Sequence, residues 1–199
     1  MNILLLTDST QANPLAEWLE ERERKVTVHT GGITLAEALE SDPGFIISVF
    51  YEHSIPGNLL DEFRNRIINL QPSYLPWNRG YDPMLWSCIE GTPKGVSMHR
   101  VVDSELRNGD ILVQERIEPD EDRETLATLK EMLVERLLDM FHFNWSYIRE
   151  RRLKAIPRED EGSYHAPDEL VELKKRVKET GEDITITELR KLWKEISGK

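Results

Sequence analysis

Two amide side chains open a loop-forming stretch of the chain, NLQPSYLPWNRG, which spans residues 69–80. Asn69 and Gln71 follow a short apolar run, and Trp77 and Arg79 come later in the same stretch. Amides donate and accept hydrogen bonds but do not titrate near neutral pH. A Trp ring and a guanidinium can hold a small molecule by stacking and by charge. The stretch is therefore a candidate ligand site, although a Trp after a proline serves as often as a lid over a core.

Strand and helix patterns alternate before and after this stretch. Asn13, followed by Pro14, predicts the start of the first helix. Capping boxes at Thr34/Glu37 and Thr185/Glu188 predict two more helix starts. Apolar or alternating runs predict strands at residues 3–6, 25–30, 45–50, 66–70, 95–102 and 110–117.

Strand–helix–strand repetition is typical of a doubly wound parallel sheet. We expect an α/β, modified Rossmann-like fold with a mostly parallel sheet and helices on both faces. Residues 1–157 are expected to form the main domain, because the composition becomes polar after Pro157. Residues 158–199 are expected to be a loop and a short helical tail with too few apolar residues for a core of their own. In such sheets ligands bind at the carboxyl ends of the strands, where residues 69–80 begin.

Composition excludes several classes of protein. The net charge of −11 argues against nucleic-acid binding, and the absence of a long apolar run argues against a membrane span. A single cysteine, Cys88, excludes an intramolecular disulfide, so a cytoplasmic location is expected. The five histidines lack metal-ligand spacing, and the residues after the first strand lack a glycine-rich phosphate loop. No metal site is expected.

Residues 68–114 resemble the core of the N10-formyltetrahydrofolate-dependent formyltransferases. The resemblance rests on three motifs in order along the chain, NLQPSYLPWNRG, EGTPKGVSMH and NGDI. It is closest to the amino-sugar N-formyltransferases and to the formylation domains of nonribosomal peptide synthetases. FYEHSIP at 50–56 and EGSYH at 161–165 resemble the same subgroup. The resemblance implies formyl transfer from N10-formyltetrahydrofolate to a small-molecule amine, either an amino sugar or an aminoacyl or peptide-like group.

The resemblance also assigns catalytic positions. The family's Asn-x-His supplies an oxyanion donor and a proton carrier, and an Asp in a later turn holds them. Asn69 matches the Asn, but Gln71 stands at the His and Arg107 stands at the Asp. Glu105 and Asp103 are alternatives for the carboxylate in that loop. Arg107 would attract an anion, or it is a solvated loop residue. Because Gln71 cannot be a base, His99 and His53 become the candidate proton carriers. For His99, the residues favour a packed, hydrogen-bonded strand residue over a base.

Ligand contacts follow from the same resemblance. Tyr51, His53, Ile55 and Asp103 are expected on the folate side, whereas Trp77 and Arg79 are expected on the acceptor side. Gln71 and Arg107, which depart from the family's His and Asp, support an alternative function. In this alternative the protein is catalytically impaired and binds folate or another ligand on the same scaffold. The sequence leaves room for a homodimer.

Overall fold

A computed structural model describes residues 1–102, 109–156 and 162–198. Its strands are β1 (Asn2–Leu6), β2 (Lys25–His29), β3 (Phe45–Val49), β4 (Ile67–Gln71), β5 (Arg79–Gly80), β6 (Lys94–Arg100), β7 (Ile111–Ile117) and β8 (Tyr164–His165). Its helices are α1 (Asn13–Glu20), α2 (Leu35–Glu40), α3 (Gly57–Glu62), α4 (Pro83–Glu90), α5 (Leu126–Arg149), α6 (Val171–Thr180) and α7 (Ile186–Ser197).

Six strands form one mostly parallel sheet in the order β2-β1-β3-β4-β6-β7. β1 pairs in parallel with β2 and β3, and β3 pairs in parallel with β4. All residues of β3 and β4 are buried, as expected of parallel strands covered on both faces. The sheet confirms the predicted α/β class. β5 and β8, which the sequence did not predict, form a separate two-stranded parallel sheet.

Contacts between Cα atoms divide the chain into two compact units. The first unit comprises Met1–Gln71, Met98–Val113 and Leu138–Pro157. The second unit comprises Pro72–Ser97, Gln114–Leu137 and Arg158–Lys199. That residues 1–157 form a domain apart from 158–199 stays a prediction.

A hydrophobic core fixes the strands of the first unit. It joins residues of β1, β3, β4 and α3, including Leu4, Ile46, Leu59, Phe63 and Ile67, each at most 3% exposed. Full burial of such a side chain stabilises a fold by about 1.5–3 kcal/mol. The core therefore fixes the position of β4, which carries Asn69 at its middle and Gln71 at its carboxyl end.

Local hydrogen bonds start the helices. In both predicted capping boxes the threonine hydroxyl accepts from the glutamate backbone N–H and the glutamate carboxylate accepts in return, which confirms Thr34/Glu37 and Thr185/Glu188. The predicted cap at Asn13 is wrong. A 3-10 turn over Thr10–Ala12 precedes α1, so Asn13 is already helical, and the Ser9 hydroxyl caps that turn instead.

The C-terminal helices pack within the second unit. The Trp86 ring stacks on His165 at 3.8 Å between centroids and meets the edge of Trp193 at 6.0 Å. Glu121 accepts hydrogen bonds from Lys94 and from Arg190 of α7, each at 2.8 Å. Burial raises the pKa of the Glu121 carboxyl, but these two cations outweigh that effect and hold the pKa below its ordinary value. The two cations thus keep Glu121 ionised, so that it links β6 to α7.

Across the three described ranges, every helix is too short or too polar to cross a membrane.

His142 on α5 makes the first unit sensitive to acid. Its ring stacks on Trp18 at 4.4 Å, and within the described residues its Nε2 is buried without a hydrogen-bond partner. Burial lowers the pKa of His142, and although Asp139 opposes this, Arg22 adds to it. The unfolded chain therefore binds a proton here more readily than the folded chain, so stability should fall as the pH drops below about 6.5.

The variant His142→Phe keeps an aromatic ring against Trp18 but cannot titrate. We expect its Tm to fall less between pH 7.5 and pH 5.5, about one unit either side of the ordinary histidine pKa, than the Tm of the unaltered chain. Thermal unfolding at the two pH values gives the comparison for both proteins. Equal losses would show that His142 is not the group responsible.

Candidate functional site

The candidate site is built on two neighbouring strands of the first unit. Asn69 and Gln71 are two residues apart on β4, so their side chains project from the same face of the strand. β6 lies beside β4 and carries His99. Asn69 Nδ2 is 3.1 Å from His99 Nε2, and Gln71 Oε1 is 3.2 Å from the same nitrogen. The fold thus joins three predicted catalytic residues.

The backbone decides which nitrogen of the neutral His99 ring carries the proton. Nδ1 lies 2.9 Å from the carbonyl oxygen of Arg100, which can only accept, so the proton is on Nδ1. Nε2 then has a lone pair and accepts a hydrogen bond from the Asn69 amide. If Nε2 gains a proton, the new N–H can donate a hydrogen bond to Gln71 Oε1. Nε2 therefore has a partner in both protonation states.

The three side chains are largely shielded from water. Asn69 is 3% exposed, Gln71 is 8% exposed and His99 is 0% exposed. A hydrogen bond from an amide to a developing negative charge is stronger in such surroundings than in water. One Asn69 N–H is used on His99, and the other has no partner among the residues that the structure describes. The group can therefore donate to an oxyanion and accept a proton.

Asp8, which the sequence analysis missed, lies just after β1 and binds the loops that follow β2 and β3. Its carboxylate accepts from the backbone N–H groups of Gly31 and Glu52, each at 2.8 Å. Burial raises the pKa of Asp8, but these two donors and nearby His53 outweigh that effect and lower it. The signal in the sequence was an aspartate just after the first strand.

The predicted folate-side residues occupy different surroundings within the first unit. Tyr51 and Ile55 are 2% and 3% exposed and belong to the core, and the Tyr51 hydroxyl donates to Gly31 O at 2.8 Å. His53 is exposed, with Nε2 3.8 Å from Asp8 Oδ1. Contact of these residues with folate stays a prediction. Because Tyr51 and Ile55 are buried, they would act indirectly, by supporting the residues that touch the folate.

The predicted acceptor-side residues belong to the second unit. The backbone N–H and the Nε–H of Arg79 both donate to the Ser163 carbonyl, at 3.0 and 3.4 Å. Asn78, buried at φ 55°, donates from Nδ2 to Thr92 at 2.7 Å. These bonds fix the backbone around half-buried Trp77. Acceptor binding by Trp77 and Arg79 stays a prediction.

Three predicted residues, Asp103, Glu105 and Arg107, lie outside the described residues. Within the described ranges, no cluster of three or more His, Cys, Asp or Glu side chains could hold a metal ion.

A family model described as formyl transferase matches residues 6–138, more than half of the chain, and this range contains the whole Asn69, Gln71 and His99 group. The chain belongs to the formyl transferase family. The match confirms the resemblance drawn from residues 68–114.

Two similar proteins of this family match part of the chain. A dTDP-4-amino-4,6-dideoxyglucose formyltransferase from Mycobacterium bovis is 31% identical over 127 residues, covering 57% of this chain and 53% of that protein. A GDP-perosamine N-formyltransferase from Brucella melitensis is 42% identical over 81 residues, covering 40% of this chain and 31% of that protein. This formyl transferase chain thus spans about half the length, or less, of these relatives.

A solved structure matches almost the whole chain. The formyltransferase PseJ from Anoxybacillus kamchatkensis, crystallised with UDP-4,6-dideoxy-4-formamido-L-AltNAc and tetrahydrofolate, is 35% identical with a TM-score of 0.85. The match covers 95% of this chain and 97% of that one. It confirms the predicted fold class.

Proposed function

We propose that this formyl transferase transfers the formyl group of N10-formyltetrahydrofolate to the amine of a nucleotide-linked amino sugar. The observation that carries the proposal is the buried contact between Asn69 of β4 and His99 of β6. Acyl transfer to an amine needs a fixed donor for the oxygen that becomes negative and a group that takes the amine proton. This contact supplies one of each.

The names of similar proteins support a sugar acceptor. The mycobacterial relative is named for a dTDP-linked 4-amino-4,6-dideoxy sugar, and PseJ was crystallised with a UDP-linked 4-formamido-4,6-dideoxy sugar. The net charge of −11 disfavours a tRNA acceptor, which binds through many basic side chains. A nucleoside diphosphate sugar with a free amine on its ring is therefore the acceptor class that we propose.

The residues at the end of β4 and β6 fit a bound reduced folate. N10-formyltetrahydrofolate supplies the activated formyl group when it is bound. The second N–H of Asn69, which has no partner among the described residues, suits the formyl oxygen. Val102, two residues after β6, is apolar yet 58% exposed. An exposed valine of this kind gives a flat ring a surface to pack on. Asn69 and Val102, which we call the donor side because they would contact the formyl donor, thus offer one polar and one apolar contact.

The side chains then have separate roles as the amine attacks the formyl carbon. Asn69 donates its second Nδ2–H to the formyl oxygen, on which negative charge develops. His99 Nε2 gives up the hydrogen bond from Asn69 and takes the amine proton, directly or through one water. It then returns this proton to the folate nitrogen as the bond between that nitrogen and the formyl carbon breaks, which releases tetrahydrofolate. Gln71 Oε1, 3.2 Å away, accepts the new Nε2–H and so stabilises the protonated ring. In this arrangement the proton carrier lies on β6, not at position 71.

The test is formyl transfer to a panel of amines. The purified chain is mixed with N10-formyltetrahydrofolate and with UDP-, dTDP- and GDP-linked 4-amino-4,6-dideoxy sugars, an aminoacyl carrier or methionyl-tRNA. We expect a formylated nucleotide sugar by mass spectrometry, with equimolar release of tetrahydrofolate. The same sugar acetylated on its amine is the control and should give no product. Formylation of the carrier or the tRNA alone would contradict the sugar acceptor.

Folate binding separates this function from the impaired-protein alternative. We expect calorimetry with 5-formyltetrahydrofolate to give a Kd in the micromolar range or below, because Asn69 and Val102 still form the donor side. Binding without transfer to any amine would favour the alternative, in which Gln71 marks a lost activity. No heat at millimolar ligand would contradict both functions.

A further inference from the structure

Within the second unit, a short segment that contains β8 packs against the loop that carries Trp77 and Arg79. We call these two parts the 162–165 segment and the 76–79 loop. The Ser163 backbone N–H donates to the Pro76 carbonyl at 3.3 Å, and the Ser163 carbonyl accepts from the Arg79 backbone N–H at 3.0 Å. Both parts belong to the same compact unit. One residue of the segment therefore holds the loop on both sides of Trp77.

The Ser163 hydroxyl adds two hydrogen bonds to the residue between these contacts. It accepts from the backbone N–H of Asn78 at 2.9 Å and donates to Asn78 Oδ1 at 3.3 Å. Asn78 is 0% exposed, and its φ of 55° lies in the left-handed region that residues other than glycine rarely adopt. A buried backbone N–H needs a partner. The hydroxyl therefore stabilises a backbone conformation that the chain would not otherwise favour.

The same serine orients the Arg79 side chain. The Nε–H of Arg79 donates to the Ser163 carbonyl at 3.4 Å. Because the guanidinium is planar, a hydrogen bond at Nε restricts the directions in which its terminal nitrogens point. Guanidinium groups bind phosphate through two parallel N–H bonds, so their orientation decides how well they bind it. Arg79 is half-buried, and its orientation follows from the position of Ser163.

Packing on one side and close backbone contact on the other hold the 162–165 segment in place. The His165 ring is 7% exposed and stacks on Trp86 of α4 at 3.8 Å between centroids. Gly162 has a φ of 70°, and a Cβ at this position would overlap the Pro76 carbonyl oxygen. The segment thus lies against the loop as closely as two backbones can. It is a fixed support for the loop, so Ser163 can orient residues of the 76–79 loop.

We propose that Ser163 is a positioning residue for acceptor binding, which orients the Arg79 guanidinium toward the diphosphate of the acceptor. The inference rests on the proposed function, because a nucleotide-linked sugar carries a diphosphate that a guanidinium can bind. Ser163 acts through the loop, since its N–H, its carbonyl and its hydroxyl all bind residues of the 76–79 loop. Its loss should weaken acceptor binding and leave the chemical step nearly unchanged.

Steady-state kinetics of Ser163→Ala test this role, with the amino sugar that gives the most product in the panel. We expect KM for that acceptor to rise about tenfold, the factor that corresponds to the loss of about one net hydrogen bond, while kcat stays within about twofold. Tm is measured on the same preparations. Equal KM values in Ser163→Ala and in the unaltered chain would overturn the proposal.

Two further serine variants serve as controls. Ser163→Thr retains a hydroxyl and should keep KM close to that of the unaltered chain. Ser87→Ala removes another buried hydroxyl of the second unit, which donates within α4 to the Met84 carbonyl at 2.7 Å. It should leave KM unchanged. A rise in KM that is equal in Ser163→Ala and Ser87→Ala would reduce the role of Ser163 to general stability and overturn the proposal.

A double variant shows whether Ser163 acts through Arg79. Arg79→Gln removes the guanidinium and should itself raise KM for the acceptor. In that background Ser163→Ala should add little, because the side chain that Ser163 orients is already absent. If the two effects multiply in full, Ser163 does not act through Arg79 and the proposal is wrong.

Amide hydrogen exchange separates failure of this inference from failure of the proposed function, because it needs no acceptor. We expect the Asn78 N–H to exchange about tenfold faster in Ser163→Ala than in Ser163→Thr, with protection of α4 equal in both. Equal exchange at Asn78 in the two variants would overturn the positioning. Faster exchange in Ser163→Ala, together with no transfer to any sugar by the unaltered chain, would support the positioning of the loop and contradict the proposed function.

Discussion

Replacing Asn69 with alanine should reduce kcat/KM for formyl transfer by about 10²–10³-fold. The Asn69 side chain on β4 is 3% exposed, and one of its N–H groups donates to His99. The other has no partner among the described residues, and we propose that it donates to the formyl oxygen. Loss of a donor that acts mainly in the transition state lowers kcat with little change in KM. Steady-state kinetics with the best acceptor of the panel, with Tm measured in parallel, gives the result.

Asn69→Asp is the matched variant for this prediction. It keeps the size of the side chain but replaces the N–H donors with carboxylate oxygens, which repel a developing oxyanion. We expect a loss at least as large as that of Asn69→Ala. Turnover near that of the unaltered chain in either variant, or a loss that follows the fraction of unfolded protein, would limit Asn69 to a structural role.

His99→Gln should lower kcat/KM by about 10²–10⁴-fold, the usual loss when a general base is removed. Glutamine retains hydrogen bonding to Asn69 but cannot take up a proton near neutral pH. Binding of 5-formyltetrahydrofolate should remain, since the exchange preserves the donor side. Kinetics and calorimetry on the same preparation measure both quantities.

His53→Gln is the control, because His53 was the other candidate for the proton carrier. Its ring is exposed and lies 3.8 Å from Asp8, in the loop beyond β3. We expect at most a small change in kcat for this variant. If His53→Gln removes activity and His99→Gln does not, the proton carrier lies on the loop and His99 only packs.

Local chemistry along the chain determines much of the fold. The capping boxes at Thr34 and Thr185 depend on residues three positions apart, and both form as predicted. The buried apolar runs of β1, β3 and β4 need covering on both faces, which predicts a parallel sheet with helices. The same pattern predicted a strand over residues 66–70, whereas β4 continues to Gln71 and Asn69 is its middle residue. The Asn13 cap failed because the 3-10 turn that precedes α1 is capped by Ser9.

Only the tertiary structure decided which side chains meet. Asn69 and His99 are thirty positions apart, and their contact requires that β6, not β5, follow β4 in the sheet. β5 is two residues long and pairs with β8. So short a strand has no hydrophobic pattern from which this pairing could be predicted. Strand order depends on how all the apolar surfaces are buried together, a property of the whole chain. The sequence therefore located Asn69 and Gln71, whereas the sheet order gave them His99 as a common partner.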